Sequence, residues 1–140
     1  MRAIVVTRFG GPEVLELQDV PAPGGELLVD ATVAGVNYRD VYERTGAYGG
    51  EAPLVAGVEG AGTVRATGER VAWSNAPGSY AEQVVVAPDR AVPIPDGVTD
   101  EQASAALLQG MTAHYLTHDT YPISRATRCS STPAPAAPGG

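Results

Sequence analysis

Apolar and polar residues alternate in short runs along the first ninety positions, and glycine, proline and asparagine break the runs apart. MRAIVVTRFG (1–10) and VLELQDV (14–20) carry alternating and β-branched residues between Gly/Pro breaks, the pattern of strands. ELLVDATVAGV (26–36), VEGAGTVRATG (58–68), RVAWS (70–74) and SYAEQVVVA (79–87) continue it. PAPGG, ATGE, NAPG and IPDG mark turns between them. Several short strands at this spacing predict a small closed or partly closed β-barrel, with a β-sandwich as the alternative that spacing alone does not exclude.

The period changes twice. YRDVYERT (38–45) reads as a helix with Asn37 at its N-cap and Asp40 in its first turn, where a carboxylate favours the helix dipole. DEQASAALLQGMTAHYLTH (100–118) reads as a longer helix, opened by Thr99 and Gln102 at capping-box spacing. No internal repeat is visible. The expected fold class is therefore mainly β with a few helices.

Composition narrows the function classes. At 140 residues the chain is one domain by length, large enough for a real core. A net charge of −7 repels phosphate backbones, which argues against nucleic acid as a partner. One cysteine excludes a disulfide framework within the chain. No apolar run reaches membrane-spanning length and no signal-peptide core opens the sequence, so the expectation is a soluble cytoplasmic protein without a membrane partner.

Candidate chemistry is sparse. His114 and His118 lie one helical turn apart, a spacing that can share a metal. No glutamate accompanies His114 as in H-E-x-x-H, and zinc sites need three or four protein ligands, so no metal is expected. GVEGAG (57–62) spaces its glycines G-x-x-G-x-G and enters a strand, which fits close strand packing better than a nucleotide loop. GVNYRDVYERTGAYGG (35–50) gathers Asn37, Tyr38, Asp40, Tyr42, Arg44 and Tyr48 within two helical turns and a loop. Asparagine and tyrosine can donate hydrogen bonds to a carbonyl oxygen and stabilise an enolate without a metal. The plain alternative is a helix cap beside half-buried packing tyrosines.

GVNYRDVYERTGAYGGEAPLVAGVEGAGTV (35–64), RVAWSNAPGSYAEQVVVAPDRAVPIPDGV (70–98) and LLQGMTAHYLTHDTYPI (107–123) resemble the zinc-independent, zeta-crystallin-like quinone oxidoreductases of the medium-chain dehydrogenase/reductase superfamily. The N-terminal MRAIVVTRFGGPEVLELQDV fits the same pattern, so the resemblance covers about 1–123. It implies a GroES-like catalytic domain of the alcohol dehydrogenase N-terminal type, a partly open β-barrel. Zinc-dependent superfamily members carry a cysteine near the position of Asn37 and a histidine at that of Val58, so no metal is implied here. The resemblance places Asn37, Tyr42 and Tyr48 near nicotinamide and quinone. It places Gln109, Met111 and Thr112 at cofactor contacts by the domain junction. The implied reaction is hydride transfer from NADPH to a small-molecule quinone or similar enone, in an enzyme implied to be a homodimer.

SRATRCSSTPAPAAPGG (124–140) breaks the pattern. A family member would continue into the first strand and phosphate turn of a Rossmann domain, which is absent here. One GC-rich codon choice for 125–137, read in a shifted frame, gives Pro-Gly-Asp-Thr-Val-Leu-Val-His-Ala-Gly-Ala-Gly-Gly, the expected entry to that domain. The expectation is a frameshift near codon 124 and a disordered tail over 124–140; a natural Pro/Ala tail is the alternative. Such a truncated chain is expected to bind NADPH weakly or not at all and to lack activity. Two other functions remain open: an enoyl-thioester reductase, whose zinc-free domains carry a motif like 37–41, and a non-enzymatic stand-alone GroES-like module.

Overall fold

The computed structural model describes residues 1–121, 123 and 124. Of the expected tail at 124–140, residues 125–140 lie outside the described residues. Eight strands and two α-helices follow in order: β1 (Arg2–Val6), β2 (Leu15–Asp19), β3 (Leu28–Gly35), α1 (Tyr38–Arg44), β4 (Leu54–Val55), β5 (Glu59–Val64), β6 (Arg70–Trp73), β7 (Gln83–Val85), β8 (Ala91–Pro93) and α2 (Asp100–Tyr115). All six expected strands and both expected helices form. The short β4 and β8 were not anticipated, and α2 passes into a π-helical turn at Leu116–Thr120.

The strands form two sheets, ordered β2-β1-β4 and β7-β3-β5-β6-β8, with every pair antiparallel. A seam joins them: Ala3 bridges Ala81, Ile4 N–H donates to Tyr80 O at 2.8 Å, and Glu82 N–H donates to Arg2 O at 3.1 Å. The mainly-β, GroES-like expectation holds, but both sheets stay open and no barrel closes. The reason is visible at β8, an edge strand of three residues ending in Pro93, which has no N–H to offer a further neighbour.

Trp73, Val29, Val64, Val71, Val84 and Val86 form the main core, each almost fully removed from water. Val6, Val14 and Ala56 form a second cluster under β1 and β4, with Tyr80 packed on it. β5 runs through the middle of its sheet, and its small residues allow close packing on both sides. A Cβ on Gly60 would lie 2.6 Å from Val33 O and 2.7 Å from the Trp73 ring. One on Gly62 would run into the Asp30 carbonyl oxygen. The glycines of GVEGAG therefore serve strand packing.

α2 is tied to the sheet at its start. Arg70, the first residue of β6, donates from Nε and Nη2 to Asp100 Oδ1 at 3.0 and 2.5 Å, and from Nη2 to Val98 O at 2.8 Å. The Thr99–Gln102 capping box closes as expected, at 3.0 and 3.2 Å. Beyond that start, Ser104 is the only fully buried residue of the helix, and Met111, Tyr115 and Leu116 are exposed. No helix among the described residues is long and apolar enough to cross a membrane.

Candidate functional site

Asn37 stands where the sequence puts an N-cap, between the end of β3 and the start of α1. Asn37 and Asp40 face each other in a capping-box arrangement. Asp40 does the reciprocal half of the work: its Oδ2 accepts the Asn37 backbone N–H at 2.8 Å. The Asn37 amide also reaches inward, donating from Nδ2 to Glu59 Oε2 at 2.5 Å and accepting at Oδ1 from Gln109 Nε2 at 3.0 Å. Glu59, the first residue of β5, is fully buried. Its other oxygen accepts the Leu108 backbone N–H of α2 at 3.2 Å. One carboxyl group thus connects the central sheet, the start of α1 and the middle of α2.

Asp40 extends this polar network. The same Oδ2 accepts the Tyr80 hydroxyl at 2.6 Å. The Tyr80 phenol is pushed well above its ordinary range, first by burial, then by the bond to Asp40 and by the charges of Asp40 and Glu59. A raised phenol pKa means that Tyr80 stabilises the fold in its neutral form. That stability is complete below the unfolded value near pH 10 and is lost as pH rises beyond it. In an absorbance titration at 295 nm of the folded chain, Tyr80 is expected to stay silent where exposed tyrosines ionise. Tyr80→Phe is expected to leave the folded amplitude unchanged and to flatten the alkaline loss of stability. A drop of about one phenol in the folded amplitude would contradict this assignment.

Between α1 and α2 lies a groove of about 470 Å³, lined by Asn37, Tyr38, Arg39, Leu108, Gln109 and Thr112 among others. Three of the six expected site residues meet here: Asn37, Gln109 and Thr112. The Thr112 hydroxyl donates back to Leu108 O at 2.8 Å, which leaves its oxygen free to accept. Tyr42 and Tyr48 lie outside the groove and join it through Tyr38. The Tyr38 and Tyr42 rings meet edge to face at 5.1 Å, and Tyr42 and Tyr48 at 5.7 Å, the geometry aromatic quadrupoles favour. All three rings are exposed, so they form a tier of accessible aromatic edges and hydroxyls. Met111 sits apart. It lines a different, apolar recess with Val92, Ile94, Val98 and Leu107.

Glu59 and Tyr80 escaped the sequence reading. The signal for Glu59 was there: a lone carboxylate within an otherwise apolar and glycine strand, VEGAGTV, is rarely buried without a partner. His114 and His118 stack at 4.1 Å on the exposed side of α2. Among the described residues, no three His, Cys, Asp or Glu side chains come together as a metal site.

Comparison with known proteins agrees with this architecture. The quinone oxidoreductase of Pseudomonas aeruginosa is 40% identical over 136 residues, covering 87% of this chain and 42% of that protein. A mycobacterial protein solved in complex with NADPH superposes with a TM-score of 0.85 at 43% identity, over 90% of this chain and 43% of that one. The quinone oxidoreductase of Escherichia coli, also solved with NADPH, gives 0.82 at 30% identity, over 88% and 42%. The chain therefore spans about two fifths of the length of these relatives. Residues 23–96, which carry β3 through β8 and the Asn37–Glu59 pair, match the sequence family of the alcohol dehydrogenase GroES-like domain, and the chain belongs to that family.

Proposed function

We propose that residues 1–123 are the catalytic-domain portion of a zinc-independent NADPH:quinone oxidoreductase. One observation carries the reading: the Asn37–Gln109 amide pair, 3.0 Å apart, lines the groove with uncharged polar groups. The second N–H of Asn37 and Oε1 of Gln109 have no protein partner among the described residues. A free donor beside a free acceptor is the complement of a primary carboxamide, such as that of nicotinamide. The donor set thus fits the nicotinamide end of NADPH, and the chemistry NADPH supplies when bound is hydride transfer.

In this reading Asn37, Gln109 and Thr112 hold and orient the carboxamide. Holding reactants in a fixed relative orientation is a large part of what a protein contributes to such a reaction. The hydroxyls of Tyr42 and Tyr48 meet the acceptor and stabilise the oxygen on which negative charge develops. Val58 and Asn37 offer no metal ligand at the positions where zinc-dependent superfamily members carry a histidine and a cysteine, which supports a reaction without zinc. The reading includes a soluble, cytoplasmic enzyme that acts on a small-molecule quinone or enone as a homodimer. By itself, the described part of the chain is proposed to be inactive.

The test is a chimera joining residues 1–123 to the remaining length of the Pseudomonas aeruginosa quinone oxidoreductase. Oxidation of NADPH by simple quinones, with none by residues 1–123 alone, is the expected result. A folded chimera with higher kcat/KM on a crotonyl thioester would replace quinone reduction with enoyl-thioester reduction. A folded chimera that binds NADPH but turns over neither would point to a non-enzymatic module.

A further inference from the structure

Glu59 does more than fill the core. The Leu108 backbone N–H can only donate, so Glu59 Oε1 must accept. Oε2 accepts as well, from Asn37 Nδ2. An amide facing that oxygen must present its NH₂ group, so the Asn37 carbonyl oxygen is forced to the opposite side. There it meets Gln109, which must in turn present its own NH₂, and does so at 3.0 Å. The choice made at Glu59 passes through two amides to the wall of the groove, where it leaves the Gln109 carbonyl oxygen outward. A flipped Asn37 would set an oxygen against an oxygen at Glu59 and an NH₂ against an NH₂ at Gln109. The oxygen–oxygen clash would fall on the fully buried Glu59, where an unmatched polar group is most costly, and the second would fall on the exposed wall of the groove.

We propose that Glu59 is a positioning residue that sets the hydrogen-bond polarity of the groove, so that Gln109 offers a carbonyl acceptor, and not an NH₂ donor, to an N–H-bearing ligand. The ligand class rests on the nicotinamide reading above; the polarity itself rests on Glu59, Asn37, Leu108 and Gln109 alone. Glu59 touches neither the groove nor any ligand and acts only through Asn37. A purely structural Glu59 would require two acceptors in the core but would not care which end of Gln109 faces outward.

The test uses the 140-residue chain and side-chain amide hydrogen exchange by NMR. In the unaltered chain the NH₂ groups of Asn37 and Gln109 are both expected to exchange slowly. Glu59→Gln leaves one carbonyl oxygen at position 59. The fixed Leu108 N–H claims it, and the introduced NH₂ faces Asn37. Asn37 then flips, Gln109 follows, and the Gln109 NH₂ turns to solvent and exchanges roughly tenfold faster. The double variant Asn37→Asp with Glu59→Gln restores the original polarity, because position 37 then accepts on both sides. Slow exchange at Gln109 is expected to return. Unchanged Gln109 exchange in Glu59→Gln would overturn the proposal, as would failure of the folded double variant to restore it. If Glu59→Gln alone does not fold, the double variant decides: a folded double variant with slow Gln109 exchange supports the proposal, and an unfolded one or a fast Gln109 NH₂ refutes it. None of these outcomes depends on NADPH binding, so a failed nicotinamide reading leaves the polarity result standing.

Discussion

Trp73→Ala is expected to destabilise the chain by about 3–5 kcal/mol, which is the usual range for removing a buried tryptophan. Trp73 is fully buried at the centre of the larger core. Its ring fills the space above Gly60, which a side chain there would deny it. Its indole N–H donates to Ser79 Oγ at 2.9 Å, and Ser79 in turn donates to Ala76 O at 2.6 Å. The substitution therefore leaves a cavity against rigid strands and removes one bond from a closed polar chain. Domains are stable by only about 5–15 kcal/mol, so the loss consumes much of the margin. The melting temperature should fall by more than about 10 °C. Trp73→Phe separates the two causes, since it keeps most of the volume and loses the N–H. It should cost clearly less than alanine. Because Trp73 is the only tryptophan, its fluorescence reports directly on the core of the unaltered chain. Equal stability of the alanine variant and the parent would contradict this packing.

The strands were legible because alternation and turn residues are local signals, and each of the six predicted runs contains a strand. The two missed strands are the ones too short to alternate. β4 is two residues inside EAPLVAG, and β8 is three residues that end in Pro93. Both exist only because a neighbouring strand supplies the partner, β1 for one and β6 for the other. Whether the barrel is closed or partly open is not legible for a related reason. Strand count and spacing do not say which edges find partners, and Pro93 on β8 ends the larger sheet.

At the site, local pattern misleads in an instructive way. Asn37 occupies the N-cap position that its residue type predicts, but its amide serves partners 22 and 72 residues away. Such pairs leave no trace in spacing. Gln109 and Thr112 were placed by resemblance alone, and the structure brings both to the groove with Asn37. Met111 shares their sequence segment but not their face, because neighbouring residues on a helix point about 100° apart. Glu59 was hidden by the glycines around it, which invite a phosphate-loop question and distract from the one residue between them that carries a charge-bearing group.

Asn37→Ala is the substitution with the largest expected effect on the proposed activity. In the chimera it should lower kcat/KM for quinone reduction by about 10²-fold, the scale associated with losing the orientation of a bound reactant. Asn37 is the middle of the Glu59–Asn37–Gln109 chain, so alanine removes the free N–H of the carboxamide pair and also frees Gln109 to swing. Both consequences weaken NADPH positioning, so KM for NADPH should rise and kcat should fall. The change also strands Glu59 Oε2 in the core, where an unpaired acceptor costs about 1–3 kcal/mol. Assaying well below the melting temperature of the variant keeps that loss out of the kinetics. Thr112→Val is the comparison within the same groove. It removes a single acceptor and leaves the Asn37 chain intact, so its effect should be several-fold smaller. If Asn37→Ala retained full kcat/KM while folded, the amide pair would not be the element that orients the cofactor. The tyrosine tier of Tyr38, Tyr42 and Tyr48 would then be the remaining candidate for that role on this domain, and its hydroxyls the next groups to remove.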